Sequence, residues 1–177
     1  MIISTSRFGQ VEIQKEDTIT FAEGLLGFEF LKSYVLLDDP TDDIFAWLQS
    51  CEAPEVAFPV LEPEIFSDSY KISLAKTDME ALKVTEAKQT RSFCIITIPE
   101  DPTAMTANLK APIVINLAQK TARQCVLQDN HLAIREPIFA KLQQRVVQNP
   151  NQSIKSQSPA LDVAIRLPEH KEVDKTI

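Results

Sequence analysis

Eleven prolines and only three glycines are spread over these 177 residues. Proline removes a backbone donor and fixes φ, so a chain interrupted this often builds no long helices. What lies between the prolines is a series of short β-type runs. Val11 and Ile13 alternate with polar neighbours at the period of a half-buried strand. Thr18–Phe21, Tyr34–Leu37 and Ile44–Gln49 follow, with Asp38-Asp39-Pro40 as a turn signal. Ala57–Leu61 is extended, and Pro59 assigns it to an edge or an irregular site. Tyr70, Ile72 and Leu74 alternate with polar or small residues. Phe93–Ile98 and Ile113–Leu117 carry the strongest strand signals. Gln124–Leu127 predicts a further strand, and Ala133-Ile134 a short final one.

Helix is scarce. Thr77 with Glu80 three residues on is a capping-box pattern, which predicts a short helix over Asp78–Leu82. Pro102–Asn108 reads as another turn or two. The expected fold is all-β: a small antiparallel β-barrel-like domain of about nine short strands with one or two short helices, spanning residues 1–140. Residues 141–177 read as a C-terminal extension, partly flexible in isolation. Within and just before it, Phe139–Val147 has a weak helical period, Gln148–Ser153 is breaker-rich, and Leu161–Leu167 alternates as a strand would.

The net charge of −7 is unevenly placed. Residues 1–140 hold 12 Lys and Arg against 21 Asp and Glu, a balance of −9; residues 141–177 hold 6 against 4, a balance of +2. An acidic body repels phosphate backbones and suits a basic protein partner. The three cysteines, Cys51, Cys94 and Cys125, are dispersed and form no CxxC, as expected of free thiols in a reducing compartment. Met1-Ile2-Ile3-Ser4 lacks the charged start of a signal peptide, and no run approaches the length of a membrane span. The expected location is cytoplasmic.

Chemistry is hard to place on this chain. It lacks the phosphate-loop, dinucleotide, nucleophile-elbow and zincin motifs. His131 and His170 lie far apart, and three scattered cysteines do not make a zinc set with them. No catalytic, metal or cofactor site is expected. Cys94 and Cys125 fall within apolar runs, where a thiol packs rather than reacts. Asp38, Asp39, Asp42 and Asp43 form the densest acidic cluster; it lacks the glycine a calcium loop needs, so it reads as a solvated turn or part of an acidic rim facing a partner. Trp47, the single tryptophan, reads as core, with an interface anchor as the alternative.

The most distinctive segment is Phe21-Ala22-Glu23-Gly24-Leu25-Leu26-Gly27-Phe28, which holds two of the three glycines. Such spacing suits a tight reversal after a strand, with Phe21 and Phe28 packing as the two ends of a closed loop. The segment resembles the F-x-x-G-L-x-G-F signature of the flagellar assembly factor FliW family. Phe45–Ser50 leading into Glu52, Pro54 and Ala57-Phe58 is similar to the central block of that family. Asn108–Asn116 looks like its N-L-x-A-P-I-V-I-N block, and Arg123–Leu127 resembles the strand after it. The matches run over about residues 1 to 138. Two features depart: Asn116–Arg123 has no glycine where family members often have one, and the tail after about Leu142 is longer.

The resemblance implies a small β-barrel-like fold and partner exchange rather than catalysis. It implies binding to the translational repressor CsrA, a small basic RNA-binding dimer, which relieves repression of flagellin messenger RNA. It also implies binding to flagellin itself, with no direct nucleic-acid or membrane contact. On charge alone, Asp38, Asp39, Asp42, Asp43, Glu52 and Glu55 are the candidate contacts for the repressor, while Phe21, Gly24, Gly27 and Phe28 define a turn of the fold. A small-molecule-binding or nucleic-acid-binding barrel is the competing reading.

Overall fold

The computed structural model describes residues 1–155 and 162–169. Seven strands form one closed ring: β3 (Ile19–Phe21), β4 (Ser33–Asp38), β5 (Ala46–Ser50), β6 (Ala57–Leu61), β7 (Thr90–Thr97), β9 (Ile113–Asn116) and β10 (Thr121–Gln124). One face of each strand follows the next through the registers. Leu36 lies opposite Leu48, Ala46 opposite Val60, Phe93 opposite Ile113, Ile115 opposite Ala122, and Ile19 opposite Tyr34. These residues form one cluster to which all seven strands contribute, which makes this face the barrel interior. Full burial of each such side chain contributes about 1.5–3 kcal/mol.

The ladders within the ring are antiparallel except β3 with β10, which run parallel through Thr20–Thr121 and Phe21–Ala122. An odd ring cannot alternate direction all the way round, so one neighbouring pair must be parallel. The barrel expected from the sequence is present, with this one exception forced by the strand count.

Other elements cover the wall from outside. The hairpin β1 (Ile2–Thr5) and β2 (Gly9–Glu12) joins β8 (Thr106–Ala107), β11 (Glu136–Pro137) and helix α2 (Phe139–Gln148) over β4–β7. Ile3, Met105, Leu142 and Ile154 meet Val35, Leu37 and Trp47 there. Helix α1 (Lys76–Leu82) covers β9, bringing Leu82 and Val84 against Val114 and Cys125. With apolar groups on both sides, every residue of β5 is buried. This is why Phe45–Leu48 reads as a continuous apolar run rather than an alternating one. Pro59 sits opposite Trp47, at a point where the ladder from β6 to β7, carried by Val60 and Leu61, has not begun.

Twelve strands occur among the described residues, against about nine expected. Tyr70–Leu74 forms none; it is a connection whose Tyr70 Oη donates to the Leu109 carbonyl at 2.7 Å. Ala133-Ile134 forms none either, and Glu136–Pro137 pairs instead. Helix α1 starts at Lys76 with Ala75 as its cap, so the box from Thr77 is unused. Pro102–Ala104 is a single 3-10 turn. Of the extension, α2 ends at Gln148, Ile154 reaches the outer core, and β12 (Ile165–Arg166) pairs parallel with β4. His170 and Leu161 lie outside the described residues.

The connection from β3 to β4 consists of three consecutive turns. Gly24 N–H donates to Phe21 O, Phe28 N–H to Leu25 O and Leu31 N–H to Phe28 O, at 3.1, 2.8 and 3.0 Å. Gly27 has φ +85° in the third position of the second turn, the place a type II turn reserves for glycine. Gly24 has φ +68°, and a Cβ there would lie 2.7 Å from Glu29 Cα. Phe21 and Phe28, the two ends of this segment, both pack on the barrel-interior cluster, each with its own aromatic partner. Phe21 meets Tyr34 edge-on inside the barrel, while Phe28 meets Phe58. Leu25 and Leu31 join the interior cluster, and the partly buried Phe28 and Phe58 pack against it.

Gly27→Ala is expected to cost about 1–2 kcal/mol, the strain of a left-handed alanine. Gly24→Ala adds a backbone clash and is expected to cost roughly 3 kcal/mol or more. Chemical denaturation of the two variants checks the order; equal losses would contradict the close approach of Glu29.

Candidate protein-binding surface

The six acidic candidates fall into two groups at opposite ends of the β4–β5 hairpin, because Tyr34 pairs with Ser50 at one end and Leu37 with Trp47 at the other. Asp38, Asp39, Asp42 and Asp43 occupy the turn that joins the strands. Glu52 and Glu55 lie beyond the far end of β5, in the connection to β6.

The turn is largely self-contained. Asp42 Oδ1 accepts from the Ile44 and Phe45 N–H groups, and its Oδ2 accepts from Trp47 Nε1, each at 2.9 Å. Asp39 Oδ1 accepts from both the backbone and the hydroxyl of Thr41. The extension closes over the same place. Lys155 Nζ lies 2.6 Å from Asp38 Oδ1 and donates to the Asp39 carbonyl, with the Lys155 side chain 8% and the Asp38 side chain 13% exposed. Lys155 N–H also donates to Asp43 O, and Leu167 N–H to Asp38 O. Asp43 is exposed. Trp47 is buried, with the Arg7 guanidinium 3.6 Å from its ring centroid and Phe8 edge-on.

At the far end, Glu52 and Glu55 are exposed, and Glu52 Oε2 accepts from Lys32 N–H at 3.2 Å. The double-glycine loop stands beside them. Glu29 Oε1 accepts from Gly27 N–H, and hydrogen bonds from the backbone N–H groups of Glu29 and Gly27 hold its carboxyl below the usual range. Leu26 N–H donates to Gln124 Oε1. Behind the loop, Arg123 bridges Glu23 at 2.8 Å and Asp78 at 2.8 Å, with Asp78 turned inward from α1. The hydrogen bond with Glu23 is the main reason the guanidinium is raised above its ordinary value.

Sequence reasoning missed Lys155, Arg123 as a bridge, and the exposed Leu26 and Phe30. Lys155 lies in a polar stretch whose spacing marks no contact. Leu26 and Phe30 look like ordinary apolar loop residues until the turns point them outward. The missing glycine in Asn116–Arg123 is answered by Lys120, which takes φ +54°, while Asn116 Oδ1 accepts from the next two turn amides, of Ala118 and Gln119.

Burial pushes the Cys94 and Cys125 thiols up to about 12, so both stay protonated near neutral pH. No group of three or more His, Cys, Asp or Glu among the described residues is placed to hold a metal. An open concavity of about 810 Å³ beside β7 is lined by Glu64, Tyr70, Arg91 and Arg145, and Arg145 is engaged by the Glu64 and Ile65 carbonyls. An apolar groove of about 410 Å³ runs beside α2 between Ile44, Met105, Val146 and Val147. No helix among the described residues is long and apolar enough to cross a membrane.

The fold and surface define a small closed β-barrel, acidic over its body and strapped by a C-terminal segment. The comparisons make it more specific. A family model described as "FliW protein" matches residues 2–138. The flagellar assembly factor FliW of Bdellovibrio bacteriovorus is 70% identical over 167 residues, 94% of this chain and 95% of that protein. That of Ruminiclostridium cellulolyticum is 33% identical over 83% of this chain and 100% of that protein. A crystal structure of the flagellar assembly factor FliW superposes with a TM-score of 0.73 and 31% identity, covering 78% of this chain and 97% of the other. The chain belongs to the FliW family of flagellar assembly factors. The family match ends at residue 138, so α2 and the strap that carries Lys155 lie beyond it.

Asp42→Ala strands three N–H donors and is expected to lose about 2–3 kcal/mol, whereas Asp43→Ala should change stability by less than about 0.5 kcal/mol. Lys155→Met leaves Asp38 without its cation and is expected to lose about 3 kcal/mol. Urea midpoints separate these cases; an Asp42→Ala protein as stable as Asp43→Ala would contradict the internal role of Asp42.

Proposed function

We propose that the protein is a cytoplasmic flagellar regulator that works by stoichiometric protein binding rather than catalysis. In this reading it binds a CsrA-type translational repressor, relieving repression of flagellin messenger RNA, and it binds flagellin as a chaperone-like partner. Membership of the family is the observation that carries the reading. The acidic body supports it, since its −9 balance over residues 1–140 complements a basic repressor and speeds encounter. The groove beside α2 supports the flagellin part, because an amphipathic helix docks into a cleft of that kind. A ligand-holding barrel gains no support, since apolar side chains fill the interior.

Calorimetric titration with the cognate repressor and with flagellin tests the reading. Binding to both is expected at micromolar concentration or below, and repressor affinity should fall several-fold between about 50 and 300 mM salt. Absence of binding to either partner at micromolar concentration would sink it.

A further inference from the structure

The double-glycine loop between β3 and β4, at the end of the β4–β5 hairpin away from its turn, presents two large apolar side chains on a rigid frame. Phe30 is 74% exposed and Leu26 60% exposed. They occupy inner positions of the second and third turns, where neither can fold back on the barrel. Their exposure does not come from a loose segment. Phe21 N–H donates to Lys32 O at the base of the loop, Leu26 is tied to Gln124, and Leu25 and Leu31 are anchored in the barrel interior. Gly24 lets the third turn press against the first. A surface ordered before it binds loses little conformational freedom on binding. Behind Leu26 lies a cleft of about 250 Å³, bounded by Ala22, Ala81, Ala122 and Gln124, which has room for a partner side chain.

The charge around these side chains is negative. Glu29 is fixed by Gly27 N–H, Glu52 reaches the backbone two residues past Phe30, and Glu55 follows in the same connection. Lys32 is a cation beside Glu29 and Glu52, and Arg7 lies near Glu55. Arg123, at the back of the cleft, is already shared between Glu23 and Asp78. The opposite end of the hairpin has less to offer a basic partner. Lys155 already sits on Asp38 and the Asp39 carbonyl, and Asp42 serves its own turn and Trp47.

We infer that Phe30 and Leu26, with Glu29 and Glu52 beside them, form the docking surface for a cationic segment that carries a large apolar side chain. This rests on the reading that the protein binds a basic partner, and it says where. The apolar side chain covers Phe30 and enters the cleft behind Leu26, and flanking Lys or Arg side chains meet Glu29 and Glu52. At the acidic turn of the other end, Asp38 is already neutralised by the protein's own Lys155 and Asp42 caps its own turn, which leaves Asp43 exposed there.

The test uses the full chain and four variants, Phe30→Ser, Glu52→Gln, Glu52→Lys and Asp43→Lys, each checked for an unchanged melting temperature. Two ligands are titrated: the cognate repressor and a synthetic peptide of alternating lysine and leucine. Phe30→Ser and Glu52→Lys are expected to weaken both ligands at least about tenfold, Glu52→Gln by less, and Asp43→Lys by under about twofold. An Asp43→Lys loss as large as that of Glu52→Lys, or wild-type affinity in Phe30→Ser, overturns the proposal. If the wild-type protein ignores the repressor, the functional reading falls and the peptide decides the surface. Equal peptide affinity across wild type, Phe30→Ser and Glu52→Lys, or no peptide binding at all, then overturns it; selective loss upholds it.

Discussion

Closure of the ring through β3 and β10 is the constraint on which the rest depends. Only two residue pairs carry that parallel ladder, Thr20 with Thr121 and Phe21 with Ala122. They are flanked by interactions that hold the same two strands together. Thr20 N–H donates to Lys120 O, Arg123 reaches across to Glu23, and Gln124 holds Leu26. The double-glycine loop leaves β3 at this seam, so the loop and the closure specify each other. A loop that could not turn at Gly24 would push Glu29 away and pull Phe21 out of register with Ala122.

The barrel was legible because its strands are short, β-branched and separated by turn residues, and most were placed within a residue or two. The parts misread share a cause. Tyr70, Ile72 and Leu74 alternate, but Tyr70 and Leu74 pack against two different clusters and Tyr70 bonds the Leu109 carbonyl, so the segment runs as a connection and not a strand. The Thr77–Glu80 box is a sound local signal that goes unused, since the helix begins one residue earlier at Lys76, and its Asp78 bonds Arg123, forty-five residues away in the chain. Phe21 and Phe28 are symmetrical in sequence, yet one is fully buried in the barrel interior beside Tyr34 and the other is only partly buried, packed on Phe58. Local pattern predicts what a segment can do; distant partners decide which option it takes.

The acidic residues make the same point for function. Six carboxylates that look equivalent in sequence divide into an internal cap at Asp42, Asp38 ion-paired beneath the extension, Asp39 bonded to Thr41 beside it, and the exposed Asp43, Glu52 and Glu55. Counting charge could not separate them, because a carboxylate that caps N–H groups and one that faces solvent contribute equally to the total. The net charge still describes the far field that a basic partner meets first. It does not describe the contact, where desolvation and existing hydrogen bonds decide which carboxylate is available.

The extension alters that balance physically. It carries a positive excess, and Lys155, a buried lysine among its described residues, is set against the acidic turn of the family domain. Ile154 in the outer core and the β12 pairing with β4 fix the strap on both sides of that contact. Lys155 therefore acts at an effective concentration that a freely diffusing cation cannot match. A family domain without this strap would offer its partner both ends of the hairpin. With the strap in place, the attraction of the whole acidic body remains, and in the proposed docking arrangement the short-range contact falls at the double-glycine loop, where Phe30 stands exposed beside Glu29 and Glu52.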